Sequence, residues 1–98
     1  MEFLIRTELS LPAEMDPAAR AELLADESAR GRALRDQGVI VRIWRIPGRR
    51  ASLAIWQASD ATELHDLLSS LPVFPWLQVE VQPLARHYLE SEEGHQFG

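Results

Sequence analysis

Short stretches with a period of two and longer ones with a helical period follow one another along this chain, and their order leaves few ways to fold it. "EFLIRTEL" (2–9) sets Phe3, Ile5, Thr7 and Leu9 against Glu2, Leu4, Arg6 and Glu8, the alternation of a first strand. After the connector "LPAEM", Asp16 precedes Pro17, an N-cap followed by a proline that needs no N–H, and the helical period runs from there to Gln37, closed by Gly38. Val39–Ile46 is rich in β-branched residues, and "PGRR" turns it into "ASLAIWQA", an antiparallel hairpin. Asp60 and Glu63 have the spacing of a capping box for a second helix through about Ser70. The two prolines of "LPVFPW" interrupt it, and "LQVEVQPL" places Leu77, Val79 and Val81 on one face of a last strand until Pro83.

The expected class is therefore α+β, a ferredoxin-like β-α-β-β-α-β chain whose two helices cover one face of a four-stranded sheet. Large apolar groups fall on both parities of the hairpin strands, so the uncovered face is expected to pack on a second subunit, giving a dimeric α+β barrel. Its 98 residues suffice for one domain, taken as 1–89, with an acidic tail at 90–98, "ESEEGHQFG", expected to fray or dock loosely on a neighbour.

Composition excludes several classes of chemistry. Without cysteine there are no disulfides, thiolate nucleophiles or the usual zinc sets, which suits a reducing cytoplasm. All ten basic residues are arginine, so lysine Schiff-base chemistry is out, and a net charge of −5 argues against nonspecific nucleic-acid binding. No segment reaches the ~20 apolar residues of a membrane span, and the N-terminal stretch lacks the apolar run of a signal peptide.

One residue breaks the helical pattern. In "LLADESARGRAL", Leu23, Leu24, Gly31 and Leu34 form an inward stripe, and at 100° per residue Glu27 lies within roughly 40° of Leu23. An apolar surround would raise its pKa toward that of a general base or acid working near neutrality, whereas a boundary glutamate would snorkel out to solvent or pair with an arginine that lowers the value. Asp26 projects elsewhere, to solvent or to Arg30 at the i,i+4 spacing. "RIWRIPGRR" gathers Arg42, Arg45, Arg49 and Arg50 near one hairpin, with Arg42 and Trp44 on one strand face and Ile43 and Arg45 on the other. Such a patch would hold a small organic acid, or would pair with the acidic helices. Trp44, Trp56, Phe74 and Trp76 would wall an apolar site or fill the core. His65, His87 and His95 are too scattered for a metal motif; His87, after the last strand, could border a pocket or form a loop hydrogen bond.

Taken together, "LPAEMDP", "ADE", "WRIPG", "ELHDLLSSLPVFPW" and "PLARH" resemble the muconolactone isomerase family, without evident gaps from Met1 to about His87. The resemblance implies a ferredoxin-like fold, paired sheets, and a homo-oligomer, either a dimer or a decamer. It implies a cofactor-independent, metal-free isomerase of the β-ketoadipate pathway of aromatic catabolism, shifting a proton and a double bond in an unsaturated lactone: muconolactone to 3-oxoadipate enol-lactone, or a related substrate. Glu27, on the glutamate of "ADE", becomes the proton-transfer residue, and Arg45, in "WR", the charge stabiliser. Arg42, Trp44, Arg49, Phe74 and His87 are the substrate-binding candidates. The chain departs from the family at Leu24, where a lysine is common, at Arg42, where a histidine is, and near Arg50 and Leu53, where tyrosines are. A non-catalytic small-acid-binding or assembly module on the same barrel is the alternative. A small monooxygenase or dehalogenase is a third possibility.

Overall fold

In a computed structural model, described for residues 1–90, the elements are β1 (Glu2–Leu9), α1 (Pro17–Asp36), β2 (Ile40–Arg45), β3 (Ala51–Gln57), α2 (Ala61–Ser69) and β4 (Leu77–Leu84). Short 3-10 turns at Phe74–Trp76 and Tyr88–Glu90 flank β4. The expected tail beyond Glu90 lies outside the described residues.

The strands form one antiparallel sheet in the order β2-β3-β1-β4. Local chemistry sets the element ends. Asp16 accepts the Ala19 N–H at 3.1 Å, and Gly38, at φ +80°, turns the chain out of α1 where a side chain would be strained. In the hairpin turn Pro47 and Gly48 occupy the central positions, with Gly48 at φ +77° and the Arg49 N–H donating to the Ile46 carbonyl at 3.3 Å, the arrangement of a type II turn. At α2, Asp60 accepts the Glu63 N–H at 2.8 Å, while Glu63 reaches back to Ser59 N–H at 3.0 Å, one residue further than a standard capping box. Pro83 lies inside β4 rather than ending it, which an edge strand tolerates because its missing N–H need not meet a neighbour.

Register assigns the faces. Phe3 pairs with Trp56, Ile5 with Ala54 and Thr7 with Ser52, all toward the helices, while Leu4–Ile55 and Arg6–Leu53 face away. An irregularity between Ile40 and Arg42 puts an extra residue, Val41, into β2, so Ile40, Ile43 and Arg45 share the helix side and Arg42 and Trp44 the open side. The core sits at one end: Phe3, Ile5, Trp56, Leu64 and Leu68 close under α2, and Leu34 anchors the C-terminal half of α1. Each such large side chain contributes about 1.5–3 kcal/mol by leaving water. The N-terminal half of α1 has no buried residue, and the sheet below it mixes the small Thr7, Ser52 and Ala54 with larger groups such as Ile43. Helix and sheet therefore stand apart there.

Candidate active site

That gap is a cavity of about 590 Å³, open to solvent, between α1 and the helix side of the sheet. Leu24, Glu27, Ser28 and Gly31 of α1 form its roof, Ile43, Ala54 and Trp56 its floor, and Leu71 and Val73 one wall. The space is real at Gly31, where an added Cβ would meet nothing within 4 Å. Thr7 and Ser52 meet hydroxyl to hydroxyl at 2.8 Å across the floor, so they satisfy each other instead of demanding water.

Glu27 is half-buried in this cavity, and its Oε1 accepts the Val73 backbone N–H at 3.2 Å. Loss of solvent pushes its pKa above the usual 4.5, and the Val73 hydrogen bond opposes that with less effect. No ion pair restrains it: among the described residues the ion pairs are Glu8 with Arg6 and Glu8 with Arg49. Of the alternatives left open by the sequence, the arginine ion pair is not formed among the described residues, and the carboxyl stands half-buried with its pKa raised. Asp26 does not pair with Arg30 either, because Arg30 donates both Nε and Nη2 to Ser70.

Arg45 also lines the cavity, so Glu27 and Arg45 come to one site. Two further arginines do the same: Arg20, one turn before Leu24, and Arg50, just ahead of β3. Arg20 is seven residues before Glu27, nearly two full turns, so the stripe that singles out Glu27 also contained it; Arg50 shares the parity of Ser52, a signal hidden by the turn beside it.

The remaining candidates stand elsewhere in the chain. Arg42 and Trp44 are on the opposite face of the sheet, the guanidinium 5.1 Å over the indole. Arg49 donates to both Glu8 oxygens at 2.9 and 2.7 Å, and that hydrogen bonding holds the Glu8 carboxyl below its usual range. Phe74 packs against the core and meets the His65 ring edge-on at 6.4 Å. His87 stacks on Tyr88, 4.5 Å between centroids, and its Nδ1 accepts the Leu89 N–H at 3.1 Å. Trp56 lines the cavity; Trp76 does not. Among the described residues no three His, Asp or Glu side chains gather to hold a metal ion.

A half-buried carboxyl that shares a cavity with arginines has the chemistry to exchange a proton with an anionic organic molecule. Comparison with known proteins gives the family. The family model described as "Muconolactone delta-isomerase" matches residues 1–90. The chain belongs to the muconolactone delta-isomerase family. Among its relatives in the family, Muconolactone Delta-isomerase 2 of Acinetobacter lwoffii is 40% identical over 87 residues, 89% of this chain and 91% of that protein. The Muconolactone Delta-isomerase of Rhodococcus opacus is 36% identical over 85 residues, 87% of this chain and 91% of its own. A crystal structure of muconolactone isomerase superposes with a TM-score of 0.83 at 37% identity, covering 89% of this chain and 91% of that one. A 5-chloro-2-hydroxyhydroquinone dehydrochlorinase from Burkholderia phenoliruptrix, at 18% identity and a TM-score of 0.65 over 87% of this chain and 94% of that one, shares the fold alone.

Proposed function

We propose that this muconolactone delta-isomerase family member isomerises muconolactone, or a closely related unsaturated lactone carrying a carboxylate, with Glu27 as the proton carrier. The observation that carries this reading is the placement of a half-buried carboxyl, with its pKa raised by burial, in one cavity with Arg45. In the reaction Glu27 removes a proton from the ring carbon conjugated through the double bond to the lactone carbonyl. The electron pair of the broken C–H bond moves the double bond, and the negative charge spreads onto the carbonyl oxygen. The same carboxyl then returns the proton to the carbon next to the carbonyl, so atoms and electrons balance without an oxidant or reductant. A raised pKa helps both halves, since the carboxylate is a stronger base and its acid form persists nearer to neutrality. Arg45 holds the substrate carboxylate, with Arg20 and Arg50 adding positive field at the same cavity. Arg42, Trp44, Arg49, Phe74 and His87 are assigned no direct part in the proton transfer.

The finer architecture belongs to this proposal too. The element order and strand order support a ferredoxin-like arrangement. On the open face Leu4, Leu53 and Ile55 are half-buried and Trp44 is 45% exposed, which supports pairing of two sheets in a homo-oligomer. No described helix is long and apolar enough to cross a membrane, and the absence of cysteine fits a cytoplasmic setting.

The test is direct: purified protein at micromolar concentration is mixed with muconolactone and followed by ultraviolet absorbance. Turnover that disappears in Glu27→Gln supports the assignment. No turnover by the wild type refutes this substrate. Carboxylate binding without turnover, unaffected by Glu27→Gln, would mark the chain as a small-acid-binding module.

A further inference from the structure

Two residues of α1, one turn apart, hold the same short loop. Glu27 takes the Val73 N–H at 3.2 Å, and Arg30 donates to Ser70 Oγ at 3.1 Å from Nε and 2.9 Å from Nη2. The Ser70 hydroxyl donates in turn to the Leu67 carbonyl at 2.6 Å, in the last turn of α2. A hydroxyl has one proton and two lone pairs, so this one is fully used, the proton toward α2 and the lone pairs toward Arg30. The guanidinium also sits by the C-terminus of α2, where unpaired carbonyls favour a cation. Between the two grips lie only Leu71 and Pro72, and Leu71 and Val73 are both buried, so both grips hold one short stretch of chain. Glu27 Oε2, by contrast, accepts no hydrogen bond among the described residues.

We propose that Arg30 is a positioning residue for Glu27: by fixing Ser70 at the end of α2 it places the Val73 N–H, which pins Oε1 and leaves Oε2 as the oxygen that carries the proton. The kinetic consequence rests on the reading of Glu27 as proton carrier; the geometric claim does not. The charged groups sharing the cavity with Glu27 are Arg20 on α1, Arg45 on β2 and Arg50 ahead of β3, while β1, β4, α2 and the loop bring none.

The experiment is a carbon-13 titration of the Glu27 carboxyl, its signal assigned by its disappearance in Glu27→Gln. It is run on wild type, Arg30→Ala, Ser70→Ala, their double variant and Ser70→Thr. A backbone N–H bonded to a carboxylate favours the charged form, so its withdrawal raises the midpoint. The midpoint is expected to rise in both single variants and no further in the double, because the two residues form one link. Ser70→Thr keeps the hydroxyl and titrates as wild type. Ser70→Ala retains the Arg30 charge, which separates positioning from a field effect. An unmoved midpoint in Ser70→Ala overturns the proposal even if Arg30→Ala shifts, and so does Ser70→Thr behaving as Ser70→Ala. In turnover, both single variants lose about tenfold in kcat, the cost of a misplaced base, with KM within about twofold. If the wild type turns over no lactone, the functional reading fails while the titration still decides this one.

Discussion

Replacing Glu27 by glutamine separates what the side chain does chemically from what it does architecturally. The amide is nearly isosteric, and its oxygen still accepts the Val73 N–H now bonded at 3.2 Å, so the loop and cavity persist. What is lost is the ability to take up a proton. A positioned general base contributes about 10²–10⁴-fold, which at ~1.4 kcal/mol per decade is about 3–6 kcal/mol of barrier. The same change affects stability, with a sign fixed by the direction of the pKa shift. Burial raises the native value above the usual 4.5, so between those two values folding takes up a proton, and stability falls as pH rises through that window. Below it both folded and unfolded chains are protonated and the penalty is absent; above it the wild type bears the penalty in full. Glu27→Gln has no such dependence, so its stability relative to wild type rises through the window and then levels off. Urea unfolding of both proteins from about pH 4 to about pH 9, beside the lactone assay, reads both effects. A kcat loss below tenfold would refute the proton-carrier role, and a stability difference flat in pH would refute the burial account of the pKa.

Three other substitutions probe the cavity and its anchor. Arg45→Ala removes the charge held to bind the substrate carboxylate, and steady-state kinetics should show KM rising about 10- to 100-fold, the ~1.5–3 kcal/mol of a charged hydrogen bond, with partial recovery in Arg45→Lys. Leu34→Ala deletes the buried side chain of α1, and urea unfolding should show a loss of about 3–5 kcal/mol; a loss under about 1 kcal/mol would mean that α1 is not anchored there. Gly31→Ala fills empty space in mid-helix, and thermal unfolding should show a gain of about 0.5–1 kcal/mol; destabilisation would mean that the helix lies closer to the sheet than the cavity implies.

How much of this was legible in the sequence depends on how local each determinant is. The element order could be read because strand and helix periods differ, and both helix starts announced themselves through Asp16 and through Asp60 with Glu63. Glu27 could be read because a helix fixes the direction of every side chain relative to its stripe. Other placements depended on partners distant in sequence. Arg49 looks like a ligand-binding arginine until Glu8, 41 residues away, takes it. Phe74 follows a proline-interrupted turn, where no period gives its direction, and it packs on the core instead of the cavity. His87 was expected either to border a pocket or to form a loop hydrogen bond, and the Leu89 N–H takes it for the second. The extra residue in β2 at Val41 leaves no composition signal, since Val and Ile suit either face.

The division of α1 into two halves explains why fold and site can coexist in so small a domain. Its C-terminal half is tied down by Leu34 and, through Arg30 and Ser70, to α2; its N-terminal half stands off the sheet over a cavity floor that mixes the small Thr7, Ser52 and Ala54 with Ile43 and Trp56. Filling that gap with leucine-sized groups would add core stability of about 1.5–3 kcal/mol per side chain, yet it would also remove the space for a ligand and the surroundings that perturb Glu27. The helix therefore spends its apolar stripe unevenly. Glu27 falls at the boundary, where the helix is still anchored enough to aim a carboxyl and the cavity beside it stays open, which is what the proposed proton transfer needs.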